Sequence, residues 1–332
     1  MPPICRHAAR RDIICRLEET LNETTPNAAL HHFFGSSETE RKLHCLREYL
    51  KYYSIALQKQ NFARIYIDAF AGTGNRTETR AALPFMENGV EVLEEVSTPG
   101  SARIALETEP RFHANVFIEQ DPAKVAALKA VLAEYPDCRA QIREGDANDI
   151  VQALCARYRW QQERIRGVIF LDPYGMEVSW KTVEAIARTE ALDCWYFFPL
   201  SGLYRNAPHD PLDLDDGKSE ALTRVFGTDR WRQEWYAMEA QSHQIDLWGN
   251  QIPSKERRVA TVDVIEKWVH DHLSSTFRGS VLPPLRLRHK NGAPMASLFF
   301  AVSNPSKAAN KLARQIAGHI LKAGISSQVR PR

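Results

Sequence analysis

The alternation of short apolar strands with helices is the feature that most constrains how this 332-residue chain can fold. Four apolar runs are each followed along the chain by a helical segment, and a fifth run comes after them: residues 64–68, 115–119, 141–143, 167–171 and 193–198. Strands that alternate with helices and are apolar on both faces are typical of a parallel sheet covered on two sides. The sequence therefore predicts an α/β fold.

A different pattern appears in the last third of the chain. Leu285–Arg288 and Met295–Val302 flank Asn291-Gly292, an arrangement that is typical of an antiparallel hairpin. A parallel sheet closed by such a hairpin is the layout of the Rossmann-like class I methyltransferase fold. A dehydrogenase would continue with further parallel units instead.

The pattern divides the chain into four segments. We expect an N-terminal lead-in at 1–35, a methyltransferase-like Rossmann core at 36–200, a helical insertion at 201–260, and the C-terminal part of the core, with a basic hairpin and helix, at 261–332. Within the core, the polar residues 75–97 predict a loop with a short helical piece.

The cysteines and the apolar runs exclude several classes of protein. The six cysteines contain no CxxC pair, which argues against both a disulfide framework and a zinc ribbon. No apolar run approaches the ~20 residues that a membrane span needs, and the first twenty residues lack the apolar region of a secretory signal. We therefore expect a cytoplasmic protein with no membrane partner and no metal site.

Charge is distributed unevenly along the chain. Between Gln251 and Arg332 there are 14 Lys and Arg residues against 4 Asp and Glu, and no acidic residue follows Asp271. A basic face is typical of a protein with a polyanionic partner, so nucleic acid is a candidate partner of the C-terminal part. The alternative is a solvated cationic surface that only maintains solubility.

Acidic residues stand at the ends of four predicted strands: Asp68, Glu119, Asp146 and Asp172. In an open α/β sheet, the ligand crevice lies at the carboxyl ends of the parallel strands. We expect these four acids to contribute to one site.

The turn after Asp68 reads Ala-Phe-Ala-Gly-Thr-Gly and contains Phe70, Gly72 and Gly74. Glycines allow the backbone to approach a ligand closely, but this turn is neither GxGxxG nor a P-loop. A strand-end acid followed by such a turn suits a ligand with an ammonium group, and S-adenosylmethionine is such a ligand. The alternative is an ordinary turn in which the acid caps a helix.

Two further strand ends complete the predicted cofactor site. Glu119 would accept hydrogen bonds from ribose hydroxyls, as acids at this position do in dinucleotide sites. Asp146, together with Ala147, would lie beside the adenine amino group of the cofactor. Either acid could instead belong to a simple turn.

Asp172-Pro173-Tyr174 is the sharpest chemical signal in the sequence. Enzymes that methylate amino groups on bases carry an Asp/Asn-Pro-Pro-aromatic motif, in which the acid and a proline carbonyl accept hydrogen bonds from the amine. The aromatic ring of that motif stacks on the base. Here the second proline is absent, so the aromatic residue arrives one position early. The motif predicts methyl transfer to an amino group, with a nucleic-acid base as the favoured substrate. A turn that caps a buried strand is the alternative.

Taken together, these motifs resemble the three-Cys-motif partner protein family. The shared motifs cover about Glu38 to Leu321: Tyr66-Ile67-Asp68-Ala69-Phe70-Ala71-Gly72, Gly100-Ser101, Phe117-Ile118-Glu119, Gly145-Asp146, Phe170-Leu171-Asp172-Pro173-Tyr174-Gly175, Phe197-Phe198-Pro199, Phe226-Gly227-Thr228-Asp229-Arg230-Trp231 and Leu298-Phe299-Phe300. One departure is Ala102 after Ser101, where the family commonly has Gly-Ser-Pro.

The resemblance implies a methyltransferase-like fold that binds S-adenosylmethionine, and a partner protein with a three-cysteine, radical-SAM-like motif. Lys42 matches a basic position of the family; it would bind the carboxylate of the cofactor, and a simple surface lysine is the alternative. The family resemblance also leaves a second hypothesis. In it, the chain regulates its partner, or delivers substrate to it, without catalysing a reaction. A third hypothesis is a metal-dependent nuclease that uses the strand-end acids.

Overall fold

A computed structural model describes residues 38–81, 93–238 and 255–326 of the chain. The helices are α1 Glu38–Leu57, α2 Ser101–Leu106, α3 Pro122–Ala133, α4 Ala147–Arg157, α5 Trp180–Arg188, α6 Leu200–Asn206, α7 Asp216–Phe226, α8 Trp231–Trp235, α9 Val262–Thr276 and α10 Lys307–Ser326. The strands are β1 Ala63–Asp68, β2 Asn75–Ala81, β3 Leu93–Pro99, β4 Ala114–Glu119, β5 Ala140–Glu144, β6 Ile165–Leu171, β7 Leu192–Phe198, β8 Tyr236–Met238, β9 Glu256–Arg258, β10 Val281–Arg288 and β11 Pro294–Val302.

Seven strands form the main sheet, in the order β10-β11-β7-β6-β1-β4-β5. β5, β4, β1, β6 and β7 are parallel to one another, whereas β11 is antiparallel to both β7 and β10. Across the sheet from β5, five parallel strands are followed by the reversed strand β11, and β10 forms the edge. This order is that of the Rossmann-like class I methyltransferase sheet. The predicted fold class and its closing hairpin are therefore confirmed.

The main sheet separates two apolar cores, because successive side chains of a strand point to opposite faces. Tyr66 of β1 belongs to the core under α1, α2, α3 and α10, which also contains Leu128. Its neighbour Ile67 belongs to the other core, under α4, α5 and α9, together with Val151. Burial on both faces explains why the strands read as continuous apolar runs rather than as alternating ones.

The expected loop at 75–97 was wrong. β2 and β3 form an antiparallel hairpin with register pairs running from Asn75↔Pro99 to Ala81↔Leu93. This hairpin is inserted between β1 and α2 and forms a separate two-stranded sheet. Its strands are rich in Thr, Glu and Arg, so they lack the apolar periodicity by which a strand is usually predicted.

The segment between β7 and α9 contains the helices α6, α7 and α8 and a 3₁₀ turn at Pro211–Asp213. It also contains the two-stranded antiparallel ribbon β8–β9. Trp231 and Trp235 are fully buried there and join the core under α9. Across the described ranges, no helix has the length and apolar character that a membrane crossing requires.

The base of the β2–β3 hairpin leaves no room for a side chain at Gly100. The Gly100 N–H donates to the carbonyl oxygen of Gly74 at 3.1 Å, and a Cβ on Gly100 would lie 2.7 Å from that same oxygen. Gly100→Ala should therefore lower the free energy of unfolding by about 1–3 kcal/mol, as overpacking does elsewhere. Urea denaturation measures the change.

Gly318→Ala is the matched control, because a Cβ on this α10 residue would meet nothing within 4 Å. Alanine is favoured over glycine inside a helix by about 1 kcal/mol, so this variant should be unchanged or more stable. Equal destabilisation of the two variants would contradict the close approach at Gly100.

Candidate active site

The parallel strands bring the four predicted acids to one edge of the sheet. Asp68 ends β1 and is in register with Phe117 of β4 and Phe170 of β6. Glu119 and Asp172 each follow those partners by two residues. Glu119 is in turn the register partner of Glu144, which lies two residues before Asp146.

The glycine turn after β1 is hydrogen-bonded to the strands on both sides of it, β6 and β4. The Ala69 N–H donates to the carbonyl of Phe170 at 3.0 Å, and the Ala71 N–H donates to the carbonyl of Ile118 at 2.9 Å. Gly72 has a φ of +60°, which favours glycine, and a Cβ there would meet nothing within 4 Å. The turn is therefore rigidly anchored and open on its outer side.

The residues of the glycine turn that are predicted to bind the cofactor differ in the space around them. Phe70 follows Asp68 in the turn and is half-buried. A Cβ on Gly74, by contrast, would lie 2.9 Å from the Cδ1 atom of Leu128 on α3. Gly74 therefore allows the turn to pack against α3, and Gly72 is the position that leaves space for a ligand.

Asp68 is fully buried beneath this turn. Its carboxylate accepts hydrogen bonds from the Tyr66 hydroxyl at 3.1 Å and the Phe70 N–H at 3.3 Å, and it is also bonded to Ser101. Burial raises the pKa of Asp68 to about 6, and the nearby charge of Asp172 acts in the same direction against these hydrogen bonds. The group is thus an acid that a cationic ligand would help to ionise.

Glu119 fastens the glycine turn to β4. Its Oε2 atom accepts the Gly72 N–H at 3.0 Å, and its Oε1 atom accepts the N–H groups of Gln120 at 3.0 Å and Asp121 at 2.9 Å. Each carboxylate oxygen has two lone pairs, so Oε2 retains one acceptor position for a ligand hydroxyl.

Asp146 is exposed and caps α4. Its Oδ1 atom accepts the N–H groups of Asn148 at 2.8 Å and Asp149 at 3.1 Å, while Ala147 is buried as the first residue of the helix. The Oδ2 atom makes no hydrogen bond to the described residues. Asp146 therefore caps a helix, as the simple-turn alternative expected, and its second oxygen has no hydrogen-bond partner among the described residues.

Lys42 and Asp172 form a direct ion pair that sequence reasoning did not predict. Lys42 Nζ lies 2.7 Å from Oδ1 and 2.6 Å from Oδ2 of Asp172, although 130 residues separate them. The ammonium group also lies 4.3 Å from the ring centroid of Phe197, at the end of β7. α1 thus carries a cation to the carboxyl edge of the sheet, where it contacts the predicted catalytic motif.

Tyr174 projects from the site, while the preceding Pro173 is buried. The tyrosine is 79% exposed, and its N–H donates to Glu177 Oε2 at 3.1 Å. Lys124 Nζ lies 4.6 Å from the centroid of the Tyr174 ring. Sequence reasoning missed Lys124, although its place in the first turn of α3, just after β4, marks it as a neighbour of the carboxyl edge.

The described basic residues of the C-terminal part are divided between ion pairs and two edges of the sheet. Arg286 is paired with Asp263 and Glu266, and Arg278 is paired with Glu190. The antiparallel course of β11 brings the β10–β11 turn, with Arg288 and Lys290, to the carboxyl edge of the sheet. The same course places the start of α10, with Lys307 and Lys311, at the opposite edge.

The described residues contain no group of three or more His, Cys, Asp and Glu side chains that could hold a metal ion. The strand-end acids are instead engaged by backbone N–H groups, hydroxyls and Lys42. Nothing in this arrangement favours the nuclease hypothesis.

Replacing Lys42 by methionine tests the ion pair. The Asp172 side chain is only 22% exposed, so the variant leaves a partly buried carboxylate without its counter-charge. We expect the free energy of unfolding to fall by about 1–3 kcal/mol. The double variant Lys42→Met/Asp172→Asn should recover part of this loss, because a neutral amide needs no counter-charge.

Urea denaturation of the wild type, both single variants and the double variant gives the coupling energy between the two side chains. Strictly additive losses would show that the pair makes no net contribution.

No family model matches this sequence, and no curated protein matches it. Among solved structures, a Legionella pneumophila protein of family DUF519 has 12% identity and a TM-score of 0.46, with 85% of this chain and 91% of that chain covered. An S-adenosylmethionine-dependent methyltransferase from Clostridium acetobutylicum has 9% identity and a TM-score of 0.33, with 77% and 91% covered. These similarities are too distant to carry an argument, so the fold assignment rests on the strand order.

Proposed function

We propose that this chain is an S-adenosylmethionine-dependent methyltransferase that acts on an amino group, with a nucleic-acid base as the substrate class. The observation that carries the proposal is the juxtaposition of Asp172 with the exposed ring of Tyr174, beside the open turn at Gly72. One edge of the sheet would therefore offer three things: a hydrogen-bond acceptor for an amine, an aromatic surface for stacking, and open space beside the glycine turn for the cofactor.

The residues at this edge fit S-adenosylmethionine, which supplies an electrophilic methyl group on a sulfonium. The space above Gly72 would admit the cofactor, and the buried Asp68 would favour an ammonium group nearby. Glu119 Oε2 would accept a ribose hydroxyl, and Asp146 Oδ2 would accept the adenine amino group. Lys42 would be available to a carboxylate of the cofactor.

Asp172 would orient the target amine. A carboxylate oxygen has two lone pairs, so the contact with Lys42 leaves each oxygen one acceptor position for an amine N–H. The carbonyl of Pro173 would accept the second N–H, which leaves the nitrogen lone pair free to point at the methyl group of the cofactor. Catalysis by these residues would rest on positioning, because the methyl donor is already reactive.

Tyr174 and Lys124 favour a base over other amines. An exposed aromatic ring offers a stacking surface that a flipped or single-stranded base can use. The ammonium group of Lys124, held over that ring, would meet a neighbouring phosphate. Arg288 and Lys290, in the β10–β11 turn at the same edge of the sheet, would contact further phosphates of the same nucleic-acid strand.

A second candidate function is the non-catalytic partner of a three-Cys-motif, radical-SAM-like protein. The specific observation in its favour is that Lys42 occupies both oxygens of Asp172, while the second proline of the usual motif is absent. In that case the chain would bind the cofactor, or a product derived from it, as a signal for its partner.

The cofactor site is tested by calorimetric titration of Glu119→Gln with S-adenosylmethionine. Loss of a charge-assisted hydrogen bond costs about 1.5–3 kcal/mol, so the dissociation constant should rise roughly tenfold to a hundredfold. In the wild type, the affinity should fall as the pH drops below about 6, because Asp68 then becomes protonated.

Glu144→Gln is the matched control, since Glu144 is the register partner of Glu119 but is exposed. This variant should bind S-adenosylmethionine like the wild type. An equal loss of affinity in both variants, or no binding by the wild type, would refute the proposed cofactor site.

The substrate class is tested by transfer of a labelled methyl group to RNA and to denatured DNA. Tyr174→Ala should lower kcat/KM roughly tenfold or more, because base stacking is worth about 1–3 kcal/mol. Lys124→Ala should mainly raise KM, whereas Lys129→Ala, which removes an exposed lysine of the same helix, should have no effect.

Cofactor binding with no methyl incorporation into any nucleic acid would reject this substrate class. If Asp172→Asn also left the activity of the partner protein unchanged, the non-catalytic function would be the better account.

A further inference from the structure

A cavity of about 670 Å³ opens at the edge of the sheet opposite to the candidate active site. Its walls are the second half of α1, the first half of α10 and the segments where β6 and β7 begin. β6 has seven residues, so about 20 Å of strand separates this cavity from Asp172. The cavity therefore belongs to neither the predicted cofactor site nor the predicted substrate site.

Two oxygen atoms on the wall of this cavity lack a hydrogen-bond partner. Asp193, at the start of β7, is only 8% exposed, and its Oδ2 atom accepts the Tyr49 hydroxyl at 2.6 Å. The other carboxylate oxygen accepts no hydrogen bond from any residue that the structure describes. The Tyr53 hydroxyl, also on the wall, likewise has no partner in the described ranges. Both oxygens belong to residues that line the cavity.

The other charged groups that line the cavity are already engaged or lie at its rim. Arg166 donates to the carbonyl of Ile165 at 2.9 Å and to Gln161 Oε1 at 2.6 Å. Glu190 is paired with Arg278, and Lys311 is exposed. Asp193 is thus the buried charge on which a ligand in this cavity would act.

We propose that this cavity is a second binding site, for a small organic amine with an apolar body. The carboxylate of Asp193 would pair with the ammonium group of that ligand. Tyr49, Tyr53 and Phe62 line the same space and give it an aromatic wall, which suits the apolar body of the ligand. The volume lies within the range of ordinary small-molecule sites.

Asp193 makes no direct ion pair with a described residue, although the positive charge of Arg166 on the cavity wall acts on its carboxylate. A bound amine would add a direct counter-charge to this buried group. Burial raises the pKa of Asp193 to about 7, so in the free protein the group is close to half-protonated at neutral pH. A cationic ligand would shift this group to its ionised form. An anionic ligand of the same shape would instead be repelled.

Calorimetric titration with tryptamine, and with indole-3-propionate as the anion of similar shape, tests the proposal at pH 8. Tryptamine should bind the wild type at least tenfold more tightly than indole-3-propionate. Asp193→Asn should lose at least tenfold of the tryptamine affinity. Ala309→Phe, which fills the cavity from α10, should lose it as well, and this variant keeps the test valid if Asp193→Asn fails to fold.

Glu190→Gln is the matched control, because it removes a carboxylate from the same cavity that Arg278 already neutralises. Tryptamine affinity should be unchanged in this variant. Equal affinity for both ligands, no saturable binding of tryptamine at millimolar concentration, or an equal loss in Glu190→Gln and Asp193→Asn would each overturn the proposal.

Discussion

The parallel pairing of β1 with strands on both sides is the constraint on which the rest of the structure depends. β1 lies between β4 and β6, and its register aligns the ends of all three strands. The backbone after Asp68 continues this pairing by donating to the carbonyls of Phe170 and Ile118. The turn that contains Gly72 therefore has little freedom, and each acid at this edge inherits its position from the sheet.

α1 ties the two edges of this sheet together. Near its beginning, Lys42 pairs with Asp172, and two turns later Tyr49 donates to Asp193. These contacts join residues that are 130 and 144 positions apart in the chain. The helix that precedes the first strand thus contacts both the candidate active site and the cavity at the opposite edge. Any ligand that displaces one of these contacts acts on the same rigid element.

The order of the main-sheet elements could be predicted because burial on both faces leaves long apolar runs, and the Asn291-Gly292 turn marks the reversal. The polar hairpin β2–β3 could not, since backbone pairing alone leaves no apolar period in the sequence. The grouping of the strand-end acids follows from topology, but the contact of Lys42 with Asp172 does not, because no local pattern encodes a pairing across the whole core. Asp193 did carry a signal: it is a lone acid inside an otherwise apolar strand.

The two ends of the β2–β3 hairpin meet at one hydrogen bond between Gly100 and Gly74. The path from the glycine turn to α2 is therefore almost closed before the hairpin begins. The described strands β2 and β3 pair with each other and not with a strand of the main sheet, so the hairpin is an insertion that begins and ends beside the glycine turn. Because this insertion shares no strand pairing with the main sheet, changes within its described strands would leave unchanged the strand order that positions the acids.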